Sequence, residues 1–151
     1  MNILVTVGTT RFDSLIKFLD QMVIPSDITF TFQIADGTYK PRNHPFFSFT
    51  ENIDQYYQNC EAVICHAGAG TIYKLLELRK RIIIVPNTER TDNHQLDIAA
   101  FMGNNGHALT IIDFNELFNA LQQIMEIDLI PFEKHDFDKT EEILRYSMSG
   151  R

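Results

Sequence analysis

Apolar and polar residues along this chain fall into segments that switch repeatedly between strand-like and helix-like spacing. Residues 2–7 are almost continuously β-branched and apolar, as expected of a strand buried on both faces of a parallel sheet. Phe12, Leu15, Ile16, Phe18, Leu19 and Met22 then recur at helical spacing and predict a helix over 12–22, with Pro25 closing the unit. Residues 28–34 alternate as a second strand that ends in the turn signal Asp36-Gly37. The two-proline stretch 40–45 reads as loop, 46–49 as a short strand and 53–59 as a short helix, although apolar runs this short fit either state.

From Glu61 onward the pattern sharpens. A strand over 62–65, a turn over 66–70 and a helix over 71–78 are followed by Arg79-Lys80-Arg81, cations suited to a helix C-terminus. Ile82-Ile83-Ile84-Val85 is the clearest strand of all, and Pro86 ends it. After a polar loop over 87–91, Asp92 is placed to cap a helix reaching about Met102, which Gly103-Asn104-Asn105-Gly106 stops. A strand over 107–112, a helix over 114–125 capped by Asp113, and a charged helix over 137–146 beyond Pro131 complete the pattern.

This alternation predicts an α/β, doubly wound, mostly parallel sheet over 1–130, with 131–151 as a charged tail packing on that domain or on a partner. Ligands in such sheets bind outside the carboxyl ends of the strands, so the loops after Val7, Cys65 and Val85 become the candidate site walls.

Composition narrows the function classes. With 13 Lys+Arg against 20 Asp+Glu, a formal net charge of -7, the chain lacks the basic excess by which nucleic-acid binders collect phosphates. Cys60 and Cys65 are expected to be reduced, packed thiols rather than a bridge. No basic, apolar leader and no run of membrane-spanning length is apparent, so the expectation is a cytosolic protein whose membrane role comes through a partner.

The candidate chemistry gathers at the strand ends. Gly68 and Gly70 remove Cβ atoms where strand turns into helix, which suits either a tight packing turn or a helix N-terminus whose amides and dipole receive a phosphate, with Thr71 adding a hydroxyl. A dinucleotide fingerprint fails because its third glycine falls on Tyr73, and no P-loop lysine is present. Gly8-Thr9-Thr10 offers a second group of donors or a connection without a ligand. Asp92-Asn93-His94-Gln95 suits sugar hydroxyls, or helix capping and a solvated first turn. His66 fits an acid–base role or a structural hydrogen bond. Histidine and cysteine spacings do not favour zinc, no G-x-S-x-G elbow occurs, and Asp136-Phe137-Asp138 lies in a charged segment that reads as a solvated face.

Gly8-Thr9, His66-Ala67-Gly68-Ala69-Gly70-Thr71, Ile84-Val85-Pro86 and Asp92-Asn93-His94-Gln95-Leu96, in that order, resemble the C-terminal nucleotide-sugar half of family 28 glycosyltransferases. The likeness is strongest to small stand-alone versions, such as the soluble subunit of the two-part dolichol-pathway UDP-N-acetylglucosamine transferase and bacterial counterparts in capsule and exopolysaccharide synthesis. It spans about residues 2–125. The resemblance implies the Rossmann-like C-terminal half of a GT-B fold, a UDP-sugar donor and no metal or other cofactor. It also implies a membrane-anchored partner that binds the lipid-linked acceptor and holds the catalytic base. By position, Gly8, Thr9, Gly68, Ala69, Gly70 and Thr71 would hold the donor diphosphate, and Asn93, His94 and Gln95 the donor sugar. Two departures stand out: Lys74 occupies a place where many relatives carry a ribose-binding glutamate, which Glu77 does not replace, and Arg79 occupies a common glycine position.

Overall fold

The β-branched run at the N-terminus becomes the centre of a sheet. In a computed structural model, which describes residues 1–90 and 93–133, β1 (Asn2–Thr6) pairs in parallel with β2 (Thr29–Gln33) on one side and β4 (Ala62–Cys65) on the other. The edge strands β3 (Phe46–Phe47) and β6 (Leu109–Thr110) add to β2 and to β5 (Arg81–Ile84), also in parallel. The resulting order is β3-β2-β1-β4-β5-β6, with the direction of winding reversing between β1 and β4.

Alternation along the strands sends side chains to two separate cores. Ile3, Val5, Phe30, Phe32, Ile64 and Ile83 pack against α1 (Asp13–Gln21) and α5 (Leu117–Gln123). Leu4, Val63, Cys65, Ile82 and Ile84 pack against α2 (Ile53–Asn59), α3 (Ala69–Glu77) and α4 (His94–Asn104). Because both sheet faces are covered, the strands had to be apolar throughout, which is why β1, β4 and β5 were the easiest elements to read. Both cysteines are buried thiols, and burial raises the proton affinity of each.

The departures from expectation lie at element ends. Helix α3 starts at Ala69, with Gly68 extended at its N-cap, so Gly70 and Thr71 belong to the first helical turn rather than to the preceding loop. The last strand shrinks to two residues. Asp113 does cap, its Oδ1 accepting the Asn115 amide at 3.0 Å, but over a 3-10 turn (Phe114–Glu116) that leads into a shorter α5. The segment up to Phe132 folds back: Ile130 donates to Gly106 O at 2.8 Å, and the Phe132 ring lies 5.8 Å from Tyr73 and 5.4 Å from His107. Asp92, Asp136, Asp138, and the expected helix over 137–146 lie outside the described residues.

Two carboxylates on α1 organise the long β2–β3 connection. Asp13 accepts from the Thr38 amide and hydroxyl at 3.1 and 2.6 Å. One turn pair further along, buried Asp20 accepts from Tyr39 Oη, Arg42 N and Asn43 N at 2.7, 2.9 and 3.0 Å. Burial alone would raise the Asp20 pKa, but these donors outweigh it and hold the carboxyl below its ordinary value.

Candidate functional site

Three loops meet at the carboxyl end of the sheet, where β1 and β4 part company, the place at which open α/β sheets bind ligands. Each is tied to the others by side chains reaching backbone. Gln33, at the end of β2, fastens the loop after β1: its Oε1 accepts from Thr6 Oγ1 at 2.6 Å and from the Val7 and Gly8 amides at 3.1 Å, while Nε2 donates to Gly8 O and Ser48 O. Gln95 bridges the other two loops, its Oε1 accepting from Ala67 N at 3.1 Å and Asn87 N at 2.8 Å. Asn87 Nδ2 in turn donates to Arg11 O, and Arg90 Nη1 donates to Thr10 Oγ1 at 3.1 Å.

At the centre lies the His66 imidazole. A Cβ placed on Gly8, whose φ is +69°, would come within 2.5 Å of the ring, and one on Gly68 within 2.1 Å. Those glycines therefore clear the volume that the ring fills, since no real side-chain carbon approaches so closely. Burial presses the His66 pKa down to about 4; the Thr6 backbone pulls in the opposite direction, and the Arg90 charge adds a still smaller lowering. Its Nδ1 is buried without a hydrogen-bond partner. At neutral pH the ring is uncharged.

Gly70 differs from both. A Cβ there would meet nothing within 4 Å, so packing does not demand glycine, and the residue stands exposed in the first turn of α3. That turn has no side-chain cap, because Gly68 occupies the N-cap. Helix geometry leaves its leading amides without intrahelical acceptors, and they carry the positive end of the dipole.

Beside this turn is a cavity of about 220 Å³ lined by Thr6, Gly8, Thr9, Thr71, Gln33 and, from the β3–α2 region, Phe49, Thr50, Ile53 and Tyr57. It joins three of the sequence-selected residues, Gly8, Thr9 and Thr71. The Tyr57 hydroxyl, beside the Thr71 side chain, has its pKa pushed up to about 12, chiefly by burial. The Gly8 amide is turned inward onto Gln33, so Gly8 contributes space rather than a donor. Gln95 has spent its oxygen on the backbone, whereas Asn93 and His94 open α4, the former exposed and the latter half-buried. Lys74 reaches across to α2 and pairs with Asp54 at 3.4 Å.

Phe49, Thr50, Tyr57, Gln33 and Asn87 escaped the sequence reading. The first three lie where short apolar runs are ambiguous. Gln33 did carry a signal, being a long polar side chain at the carboxyl end of an apolar strand, where strand ends face a ligand. Among the described residues no group of three or more His, Cys, Asp or Glu side chains is placed to hold a metal, and no helix is long and apolar enough to cross a membrane.

The model of the glycosyltransferase family 28 C-terminal domain matches residues 2–143. This chain belongs to that family. The UDP-N-acetylglucosamine transferase subunit ALG13 of Homo sapiens is 34% identical over 118 residues, covering 70% of this chain and 10% of the human protein. Its counterpart from Candida glabrata is 40% identical over 87 residues, which are 56% of this chain and 44% of that protein. The chain thus spans less than half of each of these relatives. Among solved structures, Acinetobacter baumannii MurG superposes with a TM-score of 0.62 at 22% identity over 83% of this chain and 41% of its own. An ALG13 solution structure gives a TM-score of 0.57 at 18% identity, covering 92% of this chain and 93% of that one. The doubly wound fold expected of a GT-B C-terminal half is therefore the fold observed.

Proposed function

We propose that the chain is the donor-binding subunit of a two-component glycosyltransferase, moving a hexose from a UDP-sugar to a polyprenyl-diphosphate-linked acceptor with inversion. One observation carries the reading: in a member of this family, the uncapped first turn of α3 and the cavity lined by Thr9 and Thr71 open together at the switch point of the sheet. In this reading the amides of Ala69, Gly70 and Thr71 and the Thr9 and Thr71 hydroxyls receive the diphosphate, while the nucleoside enters the cavity beside Phe49. Asn93, His94 and the Gln95 Nε2 face the sugar. Charge builds on the departing diphosphate as the glycosidic bond breaks, and a fixed helix N-terminus stabilises that charge without reorganising.

The base is assigned to the partner. With a pKa of about 4, His66 holds a proton too weakly to serve as an efficient base at neutral pH. The same partner, anchored in the membrane at its cytosolic face, would present the lipid-linked acceptor. The relatives' names point to N-acetylglucosamine as the sugar; capsule or exopolysaccharide as the product rests on the sequence resemblance alone. No metal is required, so EDTA should leave transfer by the assembled enzyme unchanged, and loss of activity restored by a divalent cation would contradict this.

A second reading, a non-catalytic stabiliser of such a partner, draws on Lys74, which is engaged with Asp54 of α2 instead of offering a carboxylate to a ribose. Calorimetry separates the two. The donor-subunit reading predicts saturable binding of UDP and UDP-N-acetylglucosamine by the chain, alone or with its partner. Absence of binding in both settings leaves the stabiliser.

A further inference from the structure

Pro86 ends the β5 run, and buried Asn87 turns the chain, its Oδ1 accepting the Glu89 amide at 3.1 Å. That turn delivers Arg90 back across the sheet end, where Nη1 donates to Thr10 Oγ1. Thr10 adjoins Thr9 on the cavity wall, and the Arg90 charge is felt at His66, two residues before Gly68 and the first turn of α3. Arg90 is thus held against the loop after β1, whose Gly8 and Thr9 line the cavity together with Thr71 of α3, in a chain whose formal net charge is -7.

We infer that Arg90 is a diphosphate-binding residue, closing over the anion from the loop after β5 while α3 meets it from the opposite side. The inference rests on the donor-binding reading and extends it to a residue outside the glycine motif. Guanidinium suits the task because it stays charged and presents a planar fork of five N–H donors that can grip Thr10 and two phosphate oxygens together. Thr10 is its positioning residue. Ion pairing with a doubly charged diphosphate in a partly walled site is stronger than a hydrogen bond to a neutral hydroxyl.

The test is calorimetric titration of the full chain with UDP and, separately, with inorganic pyrophosphate. Arg90 is exposed, so Arg90→Gln should leave the fold intact. That variant is expected to bind both ligands about tenfold more weakly, with a shallower salt dependence, and Arg90→Lys to fall between it and the parent. Arg79→Gln removes the same charge at the far end of α3 and should leave affinity unchanged. Wild-type affinity for both ligands in Arg90→Gln, an equal loss in Arg79→Gln, or no binding of either ligand by the parent chain would overturn the inference. If pyrophosphate binds in an Arg90-dependent manner but UDP binds no tighter, the anion site stands and the nucleotide reading fails.

Discussion

His66 and the glycines around it behave as one unit. An alanine methyl at position 68 would collide with the imidazole, so Gly68→Ala should destabilise the fold by about 1–3 kcal/mol, as overpacked sites do. In a His66→Ala background the same change should cost far less, and urea denaturation of the four proteins in the cycle measures the coupling. Protonation gives an independent check. An ordinary histidine titrates near 6.5 in the unfolded chain, whereas folded His66 stays neutral down to about 4. Between those values the unfolded state binds more protons, so stability falls with decreasing pH at up to about 1.4 kcal/mol per unit. His66→Gln should flatten stability over that window. Further loss below about pH 4 would persist, because Asp13 and Asp20, whose folded pKa values are depressed, lose their stabilising charge only there.

Element ends are where sequence and structure diverge. The buried strands announced themselves because a sheet covered on both faces admits little but apolar residues. The start of α3 did not, since glycine favours turns intrinsically, yet Gly70 stands in the first turn of the helix. The β2–β3 connection was equally opaque: its order comes from Asp13 and Asp20, which are distant in sequence from the amides they hold. Arg79 offers a test at this scale. It sits just past α3 with φ +54°, its amide donating to Leu76 O and that of Lys80 to Leu75 O, in the left-handed conformation that usually calls for glycine. Arg79→Gly should raise stability by about 0.5–1 kcal/mol, relief of backbone strain outweighing the added chain entropy. A loss of stability in denaturant would show that the arginine side chain contributes more than its backbone costs.

For the molecule as a whole, the ordered motifs identified the family and the alternating elements its fold, yet the site proved to be a joint property of loops far apart in the chain. Gln33 and Gln95 illustrate why: each spends its side chain holding one loop to another, a role that no local pattern encodes. The glycines also separate into kinds only in three dimensions. Gly8 and Gly68 make room for an imidazole, and Gly70, alone among the described glycines, opens onto empty space in the first turn of the helix. If that space belongs to a nucleotide-sugar, filling it should harm binding and nothing else. The decisive measurement is UDP affinity by calorimetry for the parent chain and Gly70→Leu, with thermal unfolding alongside. A variant at least as stable as the parent, binding UDP at least tenfold more weakly, is the predicted result; undiminished affinity in Gly70→Leu, or no UDP binding by the parent with or without its partner, would contradict the assignment of this strand-to-helix turn as the donor site.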